Sequence, residues 1–188
     1  MEPDPEITVE ECQGVYHPSD DTFLLLWAVS VQEGEKVLEM GCGTGIIALH
    51  CAAKGAEVTA VDLREGAVKC TRFNARRNGL EVEVVRSDMF SGLVGRFDAI
   101  IFNPPYLPLE EEGDLESAWS GGEGGVSVLS RFLEQAPGHL NPGGRIYLIL
   151  SSKMDQKLLK ELLSPFYVRR LGEDSFFFER LDAVELRR

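Results

Sequence analysis

The chain is poor in the residues that bind metals or staple small secreted domains, with four cysteines and three histidines in 188 residues. Cys12, Cys42, Cys51 and Cys70 show no Cys-x-x-Cys spacing and do not interleave with the histidines. That argues against a metal site and a disulfide framework, and leaves buried free thiols as the expectation. No apolar run approaches the roughly 20 residues that cross a bilayer. The opening Met1-Glu2-Pro3-Asp4-Pro5-Glu6 has the wrong charge for a signal peptide, so a cytoplasmic protein without membrane contact is expected. Basic charge is also scarce: 19 Lys and Arg against 31 Asp and Glu give a net charge of −12. Direct nucleic-acid binding rests on cations that neutralise phosphates, and an acidic enzyme more readily meets a basic protein surface. No internal repeat or low-complexity linker marks a boundary, so residues 1–188 read as one domain.

What is present is organised around Phe97-Asp98-Ala99-Ile100-Ile101-Phe102-Asn103-Pro104-Pro105-Tyr106. The apolar run reads as a strand buried on both faces of a parallel sheet, with Asn103 at its carboxyl end, where ligands sit in open α/β sheets. The two prolines end the strand and push Asn103 out of the α region, leaving backbone carbonyls near Pro104 without ladder partners. One amide oxygen and one freed carbonyl form a pair of acceptors suited to a planar –NH2 group, and Tyr106 can lay its ring over it.

A strand, Glu35–Met40, runs into Gly41-Cys42-Gly43-Thr44-Gly45 and a helix from Ile46 to Lys54, the cradle of a doubly wound sheet. Glycine spacing alone does not separate a dinucleotide from other cofactors. Glu39 does, because a carboxylate before the loop repels a pyrophosphate but takes an ammonium while the loop N–H groups take a carboxylate. S-adenosylmethionine (SAM) carries both groups. In this loop Cys42 reads as a small filler rather than a nucleophile. Glu57–Asp62 is a second strand whose terminal Asp62 suits two ribose hydroxyls.

A helix from Arg64 to Asn78, with Gly79 after it, is the one basic element. The third strand, Val82–Arg86, delivers Ser87-Asp88-Met89. Ahead of all this, Ser19 caps a helix whose apolar face is read as Phe23, Leu24, Trp27 and Val31. Beyond Tyr106, the acidic run from Glu110 to Glu116 would rim the site, and the glycine-dense segment around Trp119 would wall it. A helix from Val126 to Ala136, an Asn141-Pro142-Gly143-Gly144 turn, a strand over 145–150, a helix over 155–163, and a hairpin turning at Asp174 complete the expectation.

Asn103-Pro104-Pro105-Tyr106 resembles the signature of SAM-dependent amino-group methyltransferases, and Glu39 to Gly45 resembles the first motif of the class I enzymes. Tyr16-His17-Pro18-Ser19-Asp20-Asp21-Thr22-Phe23-Leu24-Leu25 and Ala118-Trp119-Ser120-Gly121-Gly122 resemble the short, HemK-like glutamine methyltransferases of archaea and eukaryotes. His17 departs from the Glu that many relatives carry. The resemblance implies an α/β, Rossmann-like, doubly wound sheet of strand order 3-2-1-4-5-7-6 with the last strand antiparallel. It implies that Tyr16, Thr22, Glu39, Gly41, Cys42, Gly43, Gly45, Asp62, Leu63, Asp88, Met89 and Asn103 bind SAM, Asp88 and Met89 at the adenine. Asn103, Pro104, Pro105 and Tyr106 would be catalytic, and with Leu107 and Trp119 would hold the substrate. That substrate would be the glutamine of a Gly-Gly-Gln loop in a class I translation release factor. A small, often zinc-binding activator subunit would dock on the edge at Val82 to Arg86. An exocyclic amine of rRNA or DNA, a protein lysine, and a SAM-binding module without turnover are the competing readings.

Overall fold

The computed structural model describes residues 1–105 and 123–188. Tyr106, Leu107, Trp119 and the acidic run from Glu110 to Glu116 lie outside the described residues.

The strands are β1 (Lys36–Met40), β2 (Glu57–Asp62), β3 (Glu83–Arg86), β4 (Phe97–Phe102), β5 (Leu140–Ser151), β6 (Tyr167–Phe176) and β7 (Glu179–Arg187). They form one sheet in the order β3-β2-β1-β4-β5-β7-β6, and β7 runs antiparallel to both its neighbours. The order reverses at β1, which pairs in parallel with β2 on one side and β4 on the other. A crevice opens at the carboxyl ends of strands at such a switch point. The register places Glu39 opposite Ile101 and Met40 opposite Phe102, so the glycine loop and Asn103 leave adjacent strands at one level.

The helices are α1 (Asp20–Ala28), α2 (Ile46–Ala53), α3 (Glu65–Arg77), α4 (Glu123–Gln135) and α5 (Gln156–Leu163), with a 3₁₀ turn at Ala136–His139. α3 ends as its sequence predicts. Gly79 adopts φ +65°, and the N–H groups of Gly79 and Leu80 reach back to the carbonyls of Arg76 and Ala75 at 3.1 and 3.0 Å. In the core, Phe132 of α4 packs against Phe102 and Phe90, with ring centroids 4.7 and 5.6 Å apart.

Five expectations need correction. α1 buries Asp21, Thr22, Leu25 and Leu26, while Trp27 is 57% exposed. Residues 23–28 are all apolar, so periodicity could not select the face; the site selects it, by turning Asp21 and Thr22 inward. α4 begins three residues before Val126, and Ala136 belongs to the 3₁₀ turn. Asn141–Gly144 lies within β5, looping out between the pairs Phe97–Leu140 and Ala99–Arg145. The closing hairpin turns at Phe177-Phe178 rather than Asp174, because β6 pairs with β7 as far as Phe176 opposite Glu179. Finally, Cys12 and Cys70 form a disulfide, whereas Cys42 and Cys51 are buried free thiols as expected. Asn74 of α3 and Asn78, its C-cap, clasp the backbone of Glu10 and Thr8, with amide-to-backbone hydrogen bonds in both directions at 2.8–3.2 Å. This clasp lays the N-terminal segment along α3 and brings Cys12 to Cys70, a pairing across 58 residues that linear spacing does not encode.

Candidate active site

Asn103 sits at the end of β4, directly followed by the buried Pro104. Its Nδ2 donates to Asp21 Oδ2 at 3.0 Å. A carboxylate only accepts, so the amide nitrogen must face Asp21 and the oxygen must point away. That oxygen, Oδ1, is buried and has no partner among the described residues. An orphaned buried acceptor costs about 1–3 kcal/mol, and such groups concentrate where a ligand completes them.

Asp21, 3% exposed, is the hub that holds this geometry. It also accepts from Tyr16 OH at 2.9 Å, Ser19 Oγ at 2.9 Å and the Thr22 N–H at 2.6 Å. Burial beside this carboxylate pushes the Tyr16 phenol up to about 12, so it remains a donor at neutral pH. Thr22 Oγ1 donates to Asp21 and accepts the Ser19 N–H. Tyr16, Thr22 and Asn103, three predicted site residues, are thus brought together by Asp21, which was not among the residues expected to form the site.

The glycine loop lies beside them. Gly45 has φ +83°, and a Cβ there would stand 2.6 Å from Thr71 Cγ2. The fully buried Thr71 donates to the Gly43 carbonyl at 3.0 Å and Asn74 donates to the Thr44 carbonyl at 2.9 Å, so α3 props the loop from beneath. Sequence reasoning missed both residues; their signal was two small polar side chains on the inward stripe of an otherwise charged helix. Cys42 is buried and its thiol is pushed well up, chiefly by burial, which fits a filler and not a nucleophile.

Three acids stand at or just past the carboxyl ends of β1, β2 and β3. Glu39 is buried, accepts the Ala48 N–H at 2.9 Å, and is pushed up to about 8, mainly by burial and secondarily by Asp62. A buried carboxyl held protonated near neutrality ionises when a cation arrives. Asp62, closing β2, accepts from the N–H groups of Gly43 and Arg64 at 3.1 and 2.9 Å. The Ser87 N–H donates to the Asp62 carbonyl at 3.0 Å, which sets Asp88 on the same edge. Asp88 pairs through Oδ2 with Arg131 at 2.9 Å, a residue not anticipated, while Oδ1 is buried with no partner among the described residues. Met89 beside it is buried with φ +50°, the one non-glycine residue described with a positive φ. Leu63 follows Asp62, partly exposed. The residues fit a ligand that bears an ammonium, a carboxylate, ribose hydroxyls and an amino-substituted ring, as SAM does. No helix among the described residues is long and apolar enough to cross a membrane, and no group of three or more His, Cys, Asp or Glu among them could hold a metal ion.

A seven-stranded sheet of this order, with a glycine loop and acids at the ends of β1 and β2, defines a class I SAM-dependent methyltransferase. Residues 6–171 match the model of the methyltransferase small domain, and the chain belongs to that family. Among curated relatives, a protein of Methanocaldococcus jannaschii named for protein N5-glutamine methylation is 38% identical over 156 residues, 80% of this chain and 79% of that one. Methyltransferase HEMK2 of Mus musculus is 38% identical over 151 residues, 72% of this chain and 71% of that one. A ribosomal RNA small subunit methyltransferase C, from Chromohalobacter salexigens, is 34% identical over 190 residues, covering 97% of this chain and 53% of its own length. Among solved structures, the E. cuniculi Mtq2-Trm112 complex, described as methylating the eRF1 termination factor, superposes with a TM-score of 0.68 at 23% identity. It covers 92% of this chain and 97% of that chain, and it speaks for the fold.

Proposed function

We propose that this methyltransferase modifies the side-chain amide nitrogen of the glutamine in the Gly-Gly-Gln loop of a class I translation release factor, in the cytoplasm, as a single domain spanning residues 1–188. The observation that carries the reading is the buried Oδ1 of Asn103, without a partner among the described residues and fixed in direction by Asp21.

SAM, when bound, supplies an electrophilic methyl group on a sulfonium. Tyr16, Thr22, Glu39, Gly41, Cys42, Gly43, Gly45, Asp62, Leu63, Asp88, Met89 and Asn103 are assigned to hold it: Glu39 the ammonium, the loop the carboxylate, Asp62 the ribose, and Asp88 Oδ1 with Met89 the adenine. An amide nitrogen is a poor nucleophile because its lone pair is delocalised into its own carbonyl. Asn103 Oδ1 and the Pro104 carbonyl accept its two N–H bonds, which draws electron density onto the nitrogen and fixes its orientation. Asp21 strengthens the acceptor by polarising the Asn103 amide from behind. Pro105 keeps the chain from folding back as a strand, and Tyr106, Leu107 and Trp119 are assigned to cover the glutamine side chain. No His or Lys neighbours the motif in sequence, so catalysis is positioning and electrostatics, with proton loss to water.

The relatives named for glutamine methylation support a protein substrate, and so does the charge of −12. The matching rRNA enzymes support methylation of an exocyclic amine as the second reading; the scarcity of cations weighs against it. A small activator subunit is assigned to the β3 edge. There the strand pairs on one side only, beside a groove of about 1030 Å³ lined in part by Leu80, Val82, Val85 and Val94. Incubation with methyl-labelled SAM and the activator, offering release factor and RNA in parallel, tests the reading. Label on the glutamine is expected, and label on RNA alone contradicts it.

A further inference from the structure

The β6–β7 hairpin ends in three consecutive phenylalanines, of which Phe177 is 92% and Phe178 81% exposed. Their rings stand edge to face, 4.6 Å between centroids, at the very turn. Each phenylalanine ring offers about 150–250 Å² of burial, and a contiguous apolar patch of this kind marks a contact surface. The strand directions fix where it points. β4 and β5 run in parallel to the edge that carries Asn103, and β7 starts from that same edge, with Leu181 opposite Ser151 and Glu179 bonded to the Ser151 hydroxyl. β7 is two strands from β4. At strand spacings of roughly 5 Å and a rise of roughly 3.3 Å per residue, the turn stands about 10 Å to the side of Asn103's strand and projects about 10 Å beyond Ser151.

We propose that Phe177 and Phe178 form an apolar docking knob for the folded body of the protein substrate whose side chain enters the crevice at Asn103. This rests on the glutamine reading and names the surface that recognises the rest of the factor. The charges around the knob favour a protein over a polyanion. Lys153 pairs with Glu179 at 3.6 Å and Arg180 with Asp182 at 3.1 Å. The cations nearest the turn are thus already neutralised, leaving two rings as the unspent interaction. A patch of this size serves as a central anchor in an interface completed by the mouth of the site.

The test compares wild type with the double variant Phe177→Ser/Phe178→Ser, both with the activator, on the intact release factor and on a short peptide containing Gly-Gly-Gln. Because the rings are exposed, the thermal midpoint is expected to stay unchanged. The knob predicts that kcat/KM on the factor falls about 10- to 100-fold through KM, while kcat/KM on the peptide is unaltered. Equal kcat/KM on the factor in both proteins overturns the proposal, as does a parallel loss on the peptide. So does sedimentation showing that the rings merely hold a second copy of the chain, with KM unmoved. Wild type that labels RNA but neither factor nor peptide overturns the glutamine reading itself, and the knob with it.

Discussion

The two ends of the sheet treat polar groups in opposite ways. At the amino end, Arg145 makes a bidentate pair with Glu35 at 2.7 and 2.9 Å, donates to the Ser30 and Asp98 carbonyls, and donates from Nε to the Tyr147 hydroxyl. Asp98 accepts the Lys36 N–H at 2.8 Å and the Asn141 amide at 2.7 Å. At the carboxyl end, Asn103 Oδ1 and Asp88 Oδ1 are buried without described partners, and Glu39 is held in an apolar site that disfavours its charge. Both ends are built from the same residue types, so composition does not separate them; the pairing of their carboxylates and amides does, although the amino end has one orphan of its own among the described residues, the buried His139 Nδ1 beside Leu140. The closed end holds the fold, and the open end is left for a ligand to complete.

Breaking the closed end should cost the most stability. Arg145→Met strands Glu35, whose carboxyl the guanidinium now holds below the usual carboxylate range. The expected loss is about 3 kcal/mol, read as a lower thermal midpoint with kcat little changed. A normal midpoint would mean that the network is ornamental.

The open end should respond through ligand affinity. Glu39→Gln keeps the shape, removes the carboxylate, and is expected to weaken SAM binding by about 10- to 100-fold, or ~1.4–2.8 kcal/mol, by calorimetry. Because the Glu39 carboxyl is raised to about 8, the folded state holds a proton that the unfolded chain has released. Its favourable linkage is therefore complete below the unfolded value of 4.5 and is lost as pH rises through about 8. Over that window the apoprotein should lose stability while SAM binds more tightly with rising pH, and Glu39→Gln should flatten both curves. A wild-type affinity independent of pH between 6 and 9 would count against Glu39 as the ammonium's partner.

A smaller effect belongs to the glycine loop of the open end. Gly45→Ala forces a methyl against Thr71 at a positive φ. It should cost about 1–3 kcal/mol of stability and weaken SAM binding, whereas Gly92→Ala, with nothing within 4 Å at a comparable φ, isolates the backbone strain alone. Equal losses in the two variants would remove Thr71 from the account.

Much of the open end was legible in sequence because glycine turns, strand-terminal acids and Asn-Pro-Pro are local signals. The strands β1, β2 and β4 stand within a residue of where their apolar runs place them. Asp21, Thr71, Asn74 and Arg131 were not legible as site residues, since each acts across 28 to 82 residues of chain. The Cys12–Cys70 bond was hidden for the same reason. α1 was assigned the wrong face because its run of apolar residues is continuous, and only tertiary contact with Asn103 breaks the tie.

The most direct test is Asn103→Ala, assayed for label on the release-factor glutamine and for thermal midpoint on the same preparation. The substitution removes an acceptor that no described residue satisfies together with the Nδ2 donor to Asp21, two effects on stability that oppose each other, and predicts a turnover lower by about 10²–10³-fold with a midpoint close to wild type. Turnover that survives the substitution, or a protein that unfolds because of it, would contradict the claim that this oxygen is kept unpaired for the substrate.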